Sequence, residues 1–211
     1  MLILLNPIKM ANTHEYIVVH HSVTPRDLSP DITENSFNNS HKAREFPKSK
    51  SGWYIGYHYV VFGTGEVRQY RQDTEVGAHC KEGMMNFKGI GICMVGDFDK
   101  ETPSMAQVKA TFELIKRLRS AYNIPSDNVK MHRDYALNSS GKPYKSCPGN
   151  NIKPTVLEYL TQFMGIYPQR VEWQQEAITY WKNKGVLKDD SNLSDDKIWT
   201  LEILRKIDIN K

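Results

Sequence analysis

The sequence predicts an α/β fold in which a central mixed β-sheet is flanked by helices and a small helical appendage follows at the C-terminal end. Two observations lead to this prediction. Short β-branched runs alternate with longer segments whose apolar residues recur at helical spacing, which is the pattern of strands packed against helices. Beyond Tyr167-Pro168 the composition shifts, and two further short helices are expected around a Gly185-Val186 turn.

The order of the elements follows from the apolar runs and from the residues that interrupt them. The expected strands are residues 16–20, 57–62, 66–70, 90–95 and 129–132, and the expected helices are residues 31–46, 102–122, 153–164, 169–184 and 195–208. Residues 63–65 join the second and third strands as a hairpin turn, and Pro47 ends the first helix. Thr102 is the expected N-cap of the longest helix, because Pro103 suits its first turn.

The composition is that of a folded protein. Hydrophobic residues make up 39% and charged residues 25% of the 211 residues, which excludes a disordered chain. The net charge of +4 suits an anionic partner such as a cell wall, whereas no nucleic-acid motif is present and no nucleic-acid partner is expected. The apolar run at residues 1–5 is too short for a signal peptide or a membrane span. We therefore expect synthesis in the cytoplasm and no membrane insertion.

The three cysteines, Cys80, Cys93 and Cys147, have different surroundings. Their odd and low count argues against a disulfide framework. Cys93 lies within the apolar run 90–95 and is expected to be a small buried hydrophobic residue. Cys147 lies in a polar loop before Pro148, where burial does not explain it, so it is the first indication of chemistry.

Three residues that could bind a metal stand at or just after the ends of predicted strands. His20 ends the first strand, His132 ends the last, and Cys147 follows in the next loop. Strand ends are where α/β folds place their sites. Zn²⁺ binds imidazole and thiolate, and three protein ligands leave a fourth position for water, as in catalytic zinc sites. The three residues are too far apart for a short zinc motif, so their spacing alone leaves surface and core roles open.

Six short segments follow one another in a particular order along the chain. They are residues 18–22, 56–60, 76–79, 89–96, 131–134 and 145–149. Together they resemble the N-acetylmuramoyl-L-alanine amidase type 2 family, which includes phage lysins and the animal peptidoglycan recognition proteins. The resemblance extends from about residue 14 to residue 163, and the order of the six segments makes it specific although each is weak alone. It implies that family's mixed sheet with flanking helices.

The resemblance implies a zinc site with three ligands. His20 matches the first ligand, because that ligand is the histidine directly after the apolar strand. His21 is the alternative, but period-two alternation would point it to the other face of the sheet. His132 matches the second ligand and Cys147 the third. Zn²⁺ is therefore the cofactor that the resemblance implies.

The resemblance also implies two catalytic residues, Tyr57 and Lys145. The family hydrolyses the amide bond between the muramic acid lactyl group and the first L-alanine of the peptidoglycan stem peptide. Attack on this carbonyl makes a tetrahedral oxyanion, which a lysine ammonium stabilises. A tyrosine hydroxyl can position the water or the oxyanion, or take part in proton transfer. Which of the two groups moves the proton stays open, and without the resemblance a strand tyrosine and a solvated loop lysine would be the simpler interpretations.

Five further residues are weaker candidates for the site, because each of them also has a purely structural interpretation. His79 matches a histidine of many family members and either contacts substrate or has a structural role. Trp53 either lines the sugar-binding groove or packs, and packing is the simpler interpretation. His58 is expected to pack or to form hydrogen bonds, and His41 to lie at the surface. Asp134 either orients neighbouring groups through its carboxylate or caps its turn.

Two residues distinguish between branches of the family. The cytoplasmic branch that recycles muropeptides usually carries a glutamate at the position of Cys93 and an aspartate at that of Cys147. The sequence therefore favours the lysin-like branch, that is, a phage or prophage endolysin that reaches the wall through a holin-type membrane lesion. The alternatives are a non-catalytic peptidoglycan recognition module, which typically lacks a zinc ligand, and an intracellular recycling amidase.

These interpretations divide the chain into three parts. Residues 1–13 form an N-terminal extension, residues 14–165 the zinc amidase domain and residues 166–211 a C-terminal helical hairpin. Residues 173–187 loosely resemble one S-layer-homology-like hairpin, a kind of module that binds cell-wall polymers. The alternative is a hairpin that packs on the catalytic domain or on a second subunit.

Overall fold

The structure is a computed structural model that describes residues 11–152 and 172–187 together with Leu201, Arg205 and Asp208. The strands are β1 (Tyr16–His21), β2 (Tyr59–Val61), β3 (Val67–Gln69), β4 (Gly89–Met94) and β5 (Val129–Met131), and the helices are α1 (Pro30–Ala43), α2 (Met85–Lys88), α3 (Met105–Tyr122) and α4 (Glu172–Asn183). Short 3₁₀ turns cover Glu82–Met84, Ser126–Asn128 and His132–Asp134. The helix predicted at residues 153–164 lies outside the described residues.

The five strands form one mixed sheet in the order β3-β2-β4-β1-β5. β2 and β3 pair antiparallel across the predicted hairpin turn, and the other neighbours pair parallel. β1 and β4 lie at the centre and are almost wholly buried, as parallel strands covered on both faces are. The predicted fold class, a central mixed sheet with flanking helices, is confirmed.

The register of the central strands determines which side chains share a face. His20 of β1 pairs with Cys93 of β4, which in turn pairs with Val60 of β2. Because side chains alternate along a strand, these three residues point to the same face of the sheet. Phe37 of α1 belongs to the same buried cluster as Val60 and Cys93, so α1 packs on the face that carries His20.

Helix α3 begins two residues later than the sequence predicts. Ser104, rather than Thr102, is the N-cap, because its hydroxyl accepts a hydrogen bond from the Gln107 backbone N–H at 3.0 Å. The Ser104 hydroxyl also donates a hydrogen bond to the carbonyl oxygen of Gly63. The predicted cap was wrong because this contact with the β2–β3 turn is not visible in the local sequence.

We expect Ser104→Ala to lower the free energy of unfolding by about 1–2 kcal/mol, since the helix loses its cap. The matched control is Thr102→Ala at the exposed position that the sequence favoured, which should change stability by no more than about 0.5 kcal/mol. Urea unfolding of the two variants checks the difference. Equal losses in both would contradict the assignment of Ser104 as the cap.

The chain divides into two compact units, residues 1–165 and residues 166–211. In the second unit, α4 buries Ala177 and Ile178. The indole N–H of Trp181 donates to the carbonyl oxygen of Leu201 at 2.6 Å, so α4 contacts a later part of its own unit. Within the described residues, no helix is long and apolar enough to cross a membrane.

Candidate active site

Three side chains converge near the C-terminal ends of β1 and β5. The imidazoles of His20 and His132 face each other through their Nδ1 atoms at 3.1 Å. The Sγ atom of Cys147 lies 3.8 Å from Nδ1 of His20. One nitrogen or sulfur atom from each residue lies within 4.8 Å of the other two. The structure therefore brings together the three ligands predicted from the sequence, although His20 lies more than a hundred residues before the other two.

Each of the three side chains is held by a different local structure. His20 is fixed by β1, whereas His132 lies in the 3₁₀ turn directly after β5 rather than at the strand end. The loop of Cys147 is tied to that turn, because the Arg133 N–H donates to the Cys147 carbonyl oxygen at 2.9 Å. The carboxylate of Asp99 accepts from the Ser146 hydroxyl at 2.5 Å and from a backbone N–H two residues beyond Pro148 at 2.8 Å.

The donor set has the chemistry that Zn²⁺ requires. Atoms bound to one tetrahedral zinc lie about 3.3–3.6 Å apart, which is close to the 3.1 Å and 3.8 Å separations observed. Burial, together with neighbouring positive charge, lowers the pKa of His20 and His132, so both rings are neutral and keep a free lone pair. Burial raises the pKa of Cys147 to about 12, although the His21 N–H at 3.4 Å favours the thiolate. The residues fit a zinc ion, which would displace the thiol proton.

A chain of hydrogen bonds selects the nitrogen that His20 presents to this cluster. The Gly89 carbonyl oxygen can only accept, so Nε2 of the neutral His79 ring, 3.2 Å away, carries the proton. Nδ1 of His79 is then an acceptor and receives the Nε2–H of His20 at 3.0 Å. Nδ1 of His20 is therefore left without a proton and faces the cluster. His79 therefore orients the His20 ring through a hydrogen bond. This contact fits the structural role considered from the sequence rather than the substrate contact.

Two glycines make room for the His79 ring. A Cβ atom added at Gly91 in β4 would lie 2.5 Å from Cγ and Cδ2 of His79, and one at Gly77 would lie 2.4 Å from Cδ2. Both distances are far below van der Waals contact. A glycine inside a buried strand often marks the close approach of another group. Here it allows the His79 ring to stand between β4 and His20.

We expect His79→Leu to weaken zinc binding about 10- to 100-fold, because His20 loses the acceptor that orients its ring. His79→Gln keeps an acceptor and should recover part of the affinity. Gly91→Ala leaves His79 in place but displaces its ring, and should act in the same direction. Competition with a chromophoric chelator measures all three affinities. Unchanged affinity in His79→Leu would show that the ring has no influence on the ligand.

Tyr57 lies just before β2, and its ring centre is 5.3 Å from that of His20. Burial and the neighbouring thiols of Cys93 and Cys147 raise the pKa of Tyr57 well above its usual value. Its hydroxyl is therefore protonated and can donate a hydrogen bond. The preceding residue is anchored, since the Gly56 N–H donates to Nδ1 of the buried His41 at 3.0 Å.

Lys145 stands beside His132, on the outer side of its ring. The Lys145 Nζ atom lies 3.4 Å from Nε2 of His132 and 3.5 Å from Oε1 of Glu82. The same carboxylate oxygen accepts a hydrogen bond from the Tyr144 hydroxyl at 2.5 Å. Burial alone would raise the pKa of Glu82, but the Tyr144 hydrogen bond and the nearby positive charge hold it at about 2. Glu82 is thus an ionised group that positions the lysine, and sequence reasoning missed it.

The weaker candidates are placed as follows. Trp53 packs edge-on against the buried Tyr70, with ring centres 5.6 Å apart. His58 is hydrogen bonded, as expected, since Nδ1 accepts from the Gly91 N–H at 3.0 Å. Asp134 caps its turn by accepting from the Met131 N–H at 2.8 Å.

The prediction that His41 lies at the surface is wrong. Its imidazole stacks on the Phe46 ring, and the residue is only 5% exposed. His21 points away from the cluster, as alternation predicted, and its Nδ1 accepts from the Phe98 N–H at 3.2 Å.

Comparison with known proteins gives relatives of two kinds. The endolysin of Enterobacteria phage T3 is 28% identical over 148 residues, which are 67% of this chain and 84% of the phage protein. Peptidoglycan-recognition protein SC2 of Drosophila melanogaster is 28% identical over 145 residues, or 68% of this chain and 72% of that protein. Among solved structures, the N-acetylmuramoyl-L-alanine amidase LysC from Clostridium intestinale URNW matches with a TM-score of 0.55 and 26% identity. The match covers 70% of this chain and 84% of LysC.

The fold, the cluster and these relatives define a hydrolase domain of mixed α/β architecture that acts on peptidoglycan. The chain belongs to the N-acetylmuramoyl-L-alanine amidase family, because the sequence model of that family matches residues 10–150. The endolysin relatives place it in the phage endolysin-like branch. Residues 166–211 lie outside the match, so a cell-wall-binding role of the C-terminal hairpin stays a prediction.

Proposed function

We propose that this chain is a zinc-dependent endolysin that hydrolyses the amide bond between N-acetylmuramic acid and L-alanine and thereby lyses the bacterial cell. The observation that supports this most directly is the cluster of His20, His132 and Cys147, with its ligand atoms within 4.8 Å of one another. When bound there, Zn²⁺ would polarise the scissile carbonyl and lower the pKa of the attacking water.

The residues around the cluster supply the remaining chemistry. Lys145 brings a positive charge to within 3.4 Å of the predicted ligand His132. This charge would stabilise the oxyanion that develops on the substrate during the reaction. Tyr57 offers a protonated hydroxyl from the segment just before β2, and this hydroxyl can hold the water or the oxyanion in place. Glu82 restrains the lysine, so that less conformational freedom is lost in the transition state.

Digestion of purified peptidoglycan, with and without a chelator, tests the proposal. We expect free stem peptides that begin at L-alanine, identified by mass spectrometry, to disappear with the chelator and to return with zinc. Binding to the wall without released peptide would support the non-catalytic recognition module instead. Release of peptide that the chelator does not affect would contradict the zinc dependence while leaving the amidase activity in place.

A further inference from the structure

A second group of metal-binding side chains lies on the outer side of His132. Oε2 of Glu82 is 3.7 Å from Nε2 of His132 and 3.7 Å from Sγ of Cys80. One ligand atom from each of these three residues lies within 4.8 Å of the other two. The separations are close to the roughly 3.3–3.6 Å of atoms that share a tetrahedral zinc. Cys80 itself is a free thiol that is 2% exposed.

This group shares only His132 with the cluster of the proposed active site. His132 turns Nδ1 toward His20 and Nε2 toward Glu82, so its ring has one nitrogen on each side. The two carboxylate oxygens of Glu82 also have different neighbours, because Oε1 lies near Lys145 and Oε2 lies near Cys80. The ammonium of Lys145 already stands close to two of these donors, 3.5 Å from Glu82 Oε1 and 3.4 Å from His132 Nε2. An ion bound to the three residues would therefore have to displace this ammonium, which weakens the binding.

We propose that Cys80, Glu82 and Nε2 of His132 form a second, weaker zinc site, and that its occupation inhibits the amidase. The inhibition rests on the proposed function, whereas the site does not. Binding would release the thiol proton of Cys80 and the Nε2 proton of His132 to solvent, leaving thiolate, carboxylate and imidazolate around the ion. The shared imidazole would bridge the two ions, which makes the second binding weaker than the first.

The position of Lys145 explains why the second ion would inhibit. Its Nζ atom lies within 3.5 Å of both Glu82 and His132, so a divalent cation held by these residues would repel the ammonium from its place. Loss of one group that stabilises an oxyanion lowers kcat by about 10²- to 10³-fold. We therefore expect excess zinc to lower kcat by about 100-fold with little change in KM.

The test is metal titration of the full chain with Zn²⁺ or Co²⁺ alone, in which the bound metal is counted by equilibrium dialysis at each concentration of free metal. Wild type should bind two equivalents and Cys80→Ser one, and only wild type should lose activity in excess zinc. With Co²⁺, Cys147→Ser should keep a thiolate-to-cobalt absorption band that the double variant Cys80→Ser/Cys147→Ser lacks. The wild-type titration counts the ions even where a variant fails to fold.

Uptake of one equivalent by wild type, or equal inhibition of Cys80→Ser, would overturn the proposal. Two equivalents together with no peptide release under any condition would leave the second site standing and defeat the proposed amidase function. Peptide release with a single equivalent would do the reverse. The two hypotheses therefore fail in different ways.

Discussion

Cys147→Ser is expected to lose the tightly bound zinc and nearly all amidase activity. The thiol is the single sulfur among the three ligand atoms of the cluster, and a serine hydroxyl at the same position stays protonated and binds zinc weakly. Removing the ion removes several kcal/mol of stabilisation of the transition state, which corresponds to about 10³-fold or more in rate. Zinc content after dialysis and release of stem peptide from purified peptidoglycan are the two measurements.

Cys80→Ser provides the matched control for this prediction. It makes the same exchange of sulfur for oxygen at a cysteine that is also near His132 but outside the first cluster. We expect it to keep one tightly bound zinc and the basal activity of wild type. If Cys147→Ser kept both its zinc and its activity, Cys147 would not be a ligand. If both variants lost zinc equally, the effect would arise from the fold and not from the ligand set.

The parts of the site that lie on regular elements could be predicted from the sequence. His20 directly follows an apolar β-branched run, and alternation alone separates it from His21. Cys147 could be recognised because its polar loop gives it no reason to be buried. The mixed sheet likewise follows from local patterns, since each central strand is a nearly continuous apolar run.

The residues that the sequence did not reveal act through contacts between distant segments. Glu82 lies in a polar loop and resembles any solvated acid until the fold places it against His132 and Lys145, 50 and 63 positions later in the chain. His41 was expected at the surface because α1 is only weakly amphipathic, yet it accepts a hydrogen bond from Gly56. The strand glycine Gly91 was a detectable signal for the close approach of His79, but the partner could not be named.

Lys145→Ala is expected to keep the zinc and lose about 10²- to 10³-fold in kcat, with a much smaller change in KM. The lysine contacts His132 through Nε2, the nitrogen that faces away from the cluster, so it is not needed to hold the ion. Its charge acts when the oxyanion forms, and a group that acts only then lowers kcat and kcat/KM together when it is removed. The assay requires one equivalent of zinc, because without the ammonium excess zinc would reach Glu82 more easily.

Lys142→Ala is the control for this change, since it removes an exposed lysine from the same loop. It should leave kcat within about twofold of wild type, because a surface substitution that touches no special feature changes free energies by no more than about 0.5 kcal/mol. Lys145→Arg should recover part of the rate if charge alone is needed, and less if the guanidinium cannot keep the contact with Glu82. Loss of zinc in Lys145→Ala would instead assign the lysine a structural role. Equal losses in both alanine variants would mean that the net charge of the loop, rather than the position of one ammonium, drives the reaction.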